Sequence, residues 1–135
     1  MEEKSLIEEA KKARKRAYTP YSKFMVGAAL LAKDGTVYHG CNIENSAYSP
    51  SNCAERTAFF KAISEGKKDF DKIAIVGALE GVEEKDWEFC FPCGVCRQVM
   101  LEFCKPDEFE ILLWNGRGEM KKYTLEELLP CGFSM

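Results

Sequence analysis

The stretch Ile73-Ala74-Ile75-Val76-Gly77-Ala78-Leu79 constrains the fold more than any other, because it has strand length and contains no polar residue. A strand with one wet face alternates polar and apolar side chains, so an unbroken apolar run belongs at the centre of a sheet with both faces covered. Covers are at hand. From Cys53 to Glu65, Ala54, Ala58, Phe59, Ala62 and Ile63 recur at helical spacing and Gly66 follows as a C-cap, while a second helix is expected from Cys93 to Cys104. Phe24 to Ala32 and Val37 to Asn42 read as a hairpin about Asp34-Gly35, and Phe109 to Trp114 turns at Asn115-Gly116 into Glu119 to Tyr123. Leu6 to Tyr18 reads as an opening helix stopped by Thr19-Pro20. Thr124 and Glu127 have capping-box spacing for a short last helix that Pro130 ends. This order predicts an α/β fold: a mixed sheet of five strands with helices on its faces. With 135 residues and 46% hydrophobic content, one domain over 1–135 is expected.

Charge narrows the partners. Nineteen Lys and Arg against 22 Asp and Glu give a net charge of −3, which offers no general attraction for a nucleic-acid polymer. The basic cluster Lys11, Lys12, Arg14, Lys15 and Arg16 lies beside Leu6, Ala10, Ala13 and Ala17 on one helical face, and reads as a plain solvated surface. The longest apolar run, Phe24 to Ala32, is about nine residues against the roughly 20 needed to cross a bilayer, so no membrane contact is expected. Met1 to Lys4 is charged and leads into an amphipathic pattern, which points to the cytoplasm.

Seven cysteines cannot all pair within one chain. In a reducing compartment, clustered cysteines ligate metals or do chemistry. Cys93-Gly94-Val95-Cys96 lets two sulfurs turn back on one ion, and Cys53 at the start of another helix is the candidate third ligand. Both sets sit at helix N-termini, where the dipole favours the thiolate. Three protein ligands leave one tetrahedral position for water, whose pKa zinc can lower to about 7. Glu55, two residues past Cys53, is placed to face the ion without ligating it, as a proton shuttle.

Cys53-Ala54-Glu55 paired with Pro92-Cys93-x-x-Cys96 resembles the zinc nucleoside deaminases, a pattern known in general form as a His or Cys first ligand with a non-ligating glutamate. The likeness runs through Val26-Gly27-Ala28-Ala29-Leu30, Gly40-Cys41-Asn42-Ile43-Glu44-Asn45, Cys53 to Ala58 and Leu128-Leu129-Pro130, and is similar to the small homotetrameric branch of cytidine deaminases. The resemblance implies a three-layer α-β-α sandwich, one zinc per chain, and hydrolytic deamination of cytidine and deoxycytidine in pyrimidine salvage. It implies that Asn42 and Glu44 bond the sugar hydroxyls, that Phe24 packs on the nucleoside, and that the Ala54 N–H and the loop near Pro92 read the base edge. Phe133 would reach a neighbouring subunit's site, and Arg56 would bond the zinc-bound thiolates and offset their charge. In the implied cycle Glu55 carries a proton from water to N3, hydroxide attacks C4, and Glu55 then protonates the departing amine.

Rival readings exist. Cys90 with Cys53, Cys93 and Cys96 would make a closed structural zinc and a binding module without chemistry, though that leaves Glu55, Asn42 and Glu44 without purpose. An iron–sulfur cluster shares the Cys-x-x-Cys-x-x-Cys opening but lacks the next cysteine. Within the deaminases, the alternative substrate is a nucleoside antibiotic of the blasticidin S type. Cys41, Cys104 and Cys131 read as packing residues, His39 as a strand-face residue, Trp87 as a loop aromatic and Trp114 as a core one.

Overall fold

The computed structural model describes residues 1–135. Helix α1 is Glu3–Arg14, followed by strands β1 (Phe24–Ala32) and β2 (Val37–Cys41), helix α2 (Ala54–Ser64) and strand β3 (Phe70–Leu79). Helix α3 (Gly94–Phe103), strands β4 (Glu110–Trp114) and β5 (Met120–Thr124) and helix α4 (Leu125–Leu128) complete the chain. The sheet order is β2-β1-β3-β4-β5, with β3 and β4 parallel and every other pair antiparallel. It is the expected mixed five-stranded sheet, with the apolar run at its centre.

Alternation along the strands divides the interior in two. Ala28, Leu30, Ile73, Ile75, Ile111 and Leu113 face one way, where they pack with Ala58, Phe59 and Ala62 of α2, Met100 of α3 and Leu125 of α4. Ala29, Leu31, Ala74, Val76 and Leu112 face the other way, against Leu6, Ile7 and Ala10 of α1. These are the three layers of an α-β-α sandwich. Fully burying a Leu, Ile, Val, Phe or Met side chain contributes about 1.5–3 kcal/mol, and an alanine methyl less.

Helix α2 lies very close to the sheet. A Cβ at Gly40 would stand 2.1 Å from the Ala54 carbonyl oxygen and 2.6 Å from the Ala58 nitrogen, so only glycine in β2 lets α2 approach this far. That contact fixes the first turn of α2, where Cys53 is the N-cap.

Several expectations are corrected. Helix α1 starts at Glu3 and ends at Arg14 rather than running to Tyr18, because Tyr18 bridges Ile43: its N–H donates to Asn42 O at 2.9 Å and its carbonyl accepts from Glu44 N at 2.9 Å. Arg14 is not a solvated cation. Its guanidinium donates to the carbonyls of Met25 (3.0 Å), Ala78 (2.8 Å) and Leu79 (3.3 Å) and lies 4.3 Å from the Trp87 ring centre, locking α1 to the ends of β1 and β3. Trp87, although outside any strand or long helix, is buried edge-on against a half-buried Trp114, with its indole N–H on Val82 O. Cys131 is exposed with φ of 56° and fills no core space. The capping box at Thr124 and Glu127 is present.

Candidate active site

Register gathers the site at one end of the sheet. Phe24 pairs with Leu79 and Gly27 with Cys41, so the start of β1, the end of β2 and the end of β3 share an edge. The loop leaving β3 delivers α3 to that same edge, the usual ligand-binding end of parallel strands. Cys53 and Cys93 are the N-caps of α2 and α3, both extended, with ψ of 158° and 166°, and neither caps its helix through its side chain. Their sulfurs are thus free to meet at two positive helix ends.

The sulfurs of Cys53, Cys93 and Cys96 lie within 4.8 Å of one another, with Cys53–Cys93 at 3.8 Å and Cys93–Cys96 at 3.4 Å. A tetrahedral zinc with Zn–S bonds of about 2.3 Å sets its sulfurs about 3.8 Å apart, so the donor set fits that ion. Cys90 stands outside this group. A Cβ on Gly77 of β3 would come within 2.8 Å of the Cys90 sulfur and 3.1 Å of Phe24 Cε1, so Cys90 packs beneath the aromatic, and burial pushes its thiol up to about 12.

Cys53 holds the thiolate character of the cluster. The Cys96 thiol and Arg56 Nη2, the latter at 3.1 Å, both donate to its sulfur and lower its pKa, while Cys96, as donor, is raised. Glu55 is 4% exposed, and burial, reinforced by the Cys53 charge, lifts its carboxyl to about 7. Arg56 Nε is buried without a partner. Ala54, fully buried, is the first residue of α2, where helix geometry gives the N–H no intrahelical acceptor. The Pro92 carbonyl accepts from Arg97 Nε at 2.8 Å, and Arg97 Nη1 reaches Leu128 O at 2.6 Å, tying α3 to α4.

Asn42, Glu44 and Phe24 form a second group. The Asn42 amide accepts from Val26 N at 2.9 Å and donates to Phe24 O at 2.8 Å, which pins the start of β1. Glu44 accepts from the N–H groups of Tyr21 and Ser22 and from the Ser22 hydroxyl. Phe24 is 37% exposed. Phe133 is exposed on the C-terminal tail, its carbonyl accepting from Gln98 Nε2 at 2.9 Å. Ser22, Gly77 and Arg97 escaped the sequence reading, since each acts through contacts with distant segments that carry no local signature. His39 donates to or accepts from Glu9 at 2.9 Å, away from the sulfurs, as a strand-face residue should.

An α-β-α domain that presents three convergent thiols and a buried carboxyl at two helix starts has the donor set of a site for a single thiophilic ion. A profile of the cytidine and deoxycytidylate deaminase zinc-binding region matches residues 1–110. The chain belongs to the cytidine and deoxycytidylate deaminase family. A cytidine deaminase of Sporosarcina psychrophila is 55% identical over 134 residues, covering 99% of this chain and 93% of its own. A blasticidin-S deaminase of Bacillus cereus is 34% identical over 114 residues, covering 84% of this chain and 79% of its own. The crystal structure of a cytidine deaminase from Burkholderia pseudomallei superposes with a TM-score of 0.87 at 47% identity, covering 98% of this chain and 100% of that one. No helix is long and apolar enough to cross a membrane.

Proposed function

We propose that this chain hydrolyses cytidine and deoxycytidine to uridine and deoxyuridine, with release of ammonia, in pyrimidine salvage. The observation that carries this reading is the placing of a buried carboxyl, Glu55, two residues from one of three convergent thiols. Cys53, Cys93 and Cys96 would hold one zinc per chain, which supplies a water acidified to a pKa of about 7. Three thiolates leave such a centre with a net negative charge, and the Arg56 guanidinium against the Cys53 sulfur reduces it.

Glu55 does the proton work. A carboxyl raised to about 7 populates both forms near neutral pH, as a group that must take and return a proton requires. It accepts a proton from the attacking water and delivers it to N3 while oxygen bonds to C4. It then carries the proton of the new C4 hydroxyl to the amine, the C4–N bond breaks, ammonia leaves, and the C4 carbonyl of the product forms. Ala54 N–H holds the base edge, Phe24 packs on the nucleoside, and Asn42 and Glu44 take the sugar hydroxyls. Phe133, exposed on its tail, would complete a neighbouring copy's site in a homotetramer. The acidic net charge supports a free nucleoside over a nucleic-acid polymer as substrate, and a cytoplasmic setting would keep the thiols reduced.

The test is a spectrophotometric deamination assay on cytidine, deoxycytidine and blasticidin S beside zinc analysis of wild type and Glu55→Gln. Turnover of the two nucleosides is expected, with a loss of at least about 100-fold in the variant and zinc retained. A Glu55→Gln protein that keeps its turnover overturns the mechanism, and turnover of blasticidin S alone overturns the substrate.

A further inference from the structure

Most of the hydrogen-bonding capacity of Glu44 is already in use. Its Oε1 accepts from the backbone N–H groups of Tyr21 at 3.0 Å and Ser22 at 3.1 Å, and its Oε2 accepts from the Ser22 hydroxyl. An ionised carboxylate offers about two lone-pair positions per oxygen and donates nothing. Oε1 is therefore filled and Oε2 has one position open. A sugar hydroxyl that donates to Glu44 must take that position, on the oxygen that Ser22 already holds.

Ser22 is itself fixed. Its oxygen accepts from the Phe24 N–H at 3.0 Å, so the donors point one way, from Phe24 to Ser22 to the carboxylate, and each bond polarises the next. The turn that permits this depends on Lys23, whose φ of 61° lies in the left-handed region. Lys23 is held there at both ends, its N–H on Thr19 O at 3.1 Å and its carbonyl accepting from Glu80 N at 2.6 Å. Unfavourable backbone of this kind persists where surrounding bonds determine it, often beside functional sites.

We infer that Ser22 is a positioning residue for nucleoside recognition: its hydroxyl aims the one open lone pair of Glu44 at the sugar and couples that carboxylate to the strand start that carries Phe24. The inference rests on the proposed role of Glu44 as a sugar acceptor. Without the hydroxyl, Oε1 stays pinned but Oε2 loses its fixed neighbour, and the direction offered to the sugar is no longer unique. The Phe24 N–H also loses its acceptor. Any shift of Phe24 would weaken both substrates alike, whereas the loss at Glu44 falls on the sugar alone and is read from the ratio of the two substrates.

The experiment compares kcat/KM for cytidine and 2′,3′-dideoxycytidine in the zinc-loaded wild type, Ser22→Ala, Ser22→Thr and Glu44→Gln, with zinc content and Tm recorded for each. Ser22→Ala should lower the preference for cytidine over the dideoxy substrate by about tenfold, mostly through KM, and Ser22→Thr should restore it. If Ser22→Ala folds poorly, Ser22→Cys gives the same readout at nearly native size. Equal losses on both substrates, or an unchanged preference, overturn the inference while Glu44→Gln still abolishes the preference. If Glu44→Gln leaves the preference intact, the sugar reading of Glu44 falls and the Ser22 inference with it.

Discussion

Glu55 and Arg56 are neighbours in the chain and have opposite electrostatic effects. The glutamate turns into the dry interior, where burial favours its neutral form; the arginine turns to the Cys53 sulfur, where its charge favours the thiolate. Its Nε is buried without a partner, a cost that is reasonable only if the guanidinium must sit where it does. Arg56→Gln should therefore lower kcat by about 10- to 100-fold in zinc-loaded protein, measured in the same deamination assay, whereas an unchanged kcat would make the arginine a packing residue. At this scale the sequence was most legible for the convergence of the three thiols, because Cys93-x-x-Cys96 sets two of them within one helical turn and Cys53 opens another helix. It was least legible for the contact of Ser22 with Glu44, since the two stand 22 residues apart and meet beside a left-handed lysine that no local pattern announces.

Among the elements, α2 is held close against the sheet. Its first turns rest on Gly40 with no room for a methyl group, and the two nearest atoms that a methyl would strike are backbone. Gly40→Ala should cost roughly 1–3 kcal/mol by overpacking, seen as a lower Tm, and should also lower zinc per chain because Cys53 moves with the helix. A lower Tm with full zinc occupancy would show that the helix start adjusts independently. Helix α1 rests on the sheet in the same way at Gly27 and is tied further by Arg14 and by Glu3, which accepts from Lys122 of β5 at 3.0 Å and from Lys72 of β3 at 3.4 Å. Lys122 chiefly holds the Glu3 carboxyl below its ordinary value near 4.5. A carboxyl lowered by folding adds stability that is complete above its unfolded value and is lost as pH falls through the folded one. Glu3→Gln should thus lower Tm at neutral pH by a small amount and match wild type well below pH ~4. Tm curves that stay parallel throughout would remove Glu3 from the account. The strands and the positions of α2 and α3 were readable because apolar periodicity reports burial directly. The end of α1 was not, because the Tyr18–Ile43 bridge that breaks it comes from elsewhere in the chain.

For the molecule as a whole, the three thiols form a joint between two helices. Helices α2 and α3 are separated in the chain by the whole of β3, and Cys53 and Cys93 lie 40 residues apart. Ion binding at this triad would stabilise the folded chain as the logarithm of the free ion, by about 1.4 kcal/mol for each tenfold rise in free zinc above its Kd. Exhaustive chelation should lower Tm and added zinc should restore it; a melting curve indifferent to both would show that the sulfurs bear no part of the fold's stability. Aspects such as the Arg14 clamp and the burial of Trp87 lay beyond sequence reading, since a basic helix face and a loop tryptophan look the same whether or not another element closes over them. The two N-cap positions of Cys53 and Cys93 have one further effect. A clasp fastened at the very start of two helices opens only when those first turns fray. The escape of an ion held there would thereby be timed by backbone motion at the rim of the sheet.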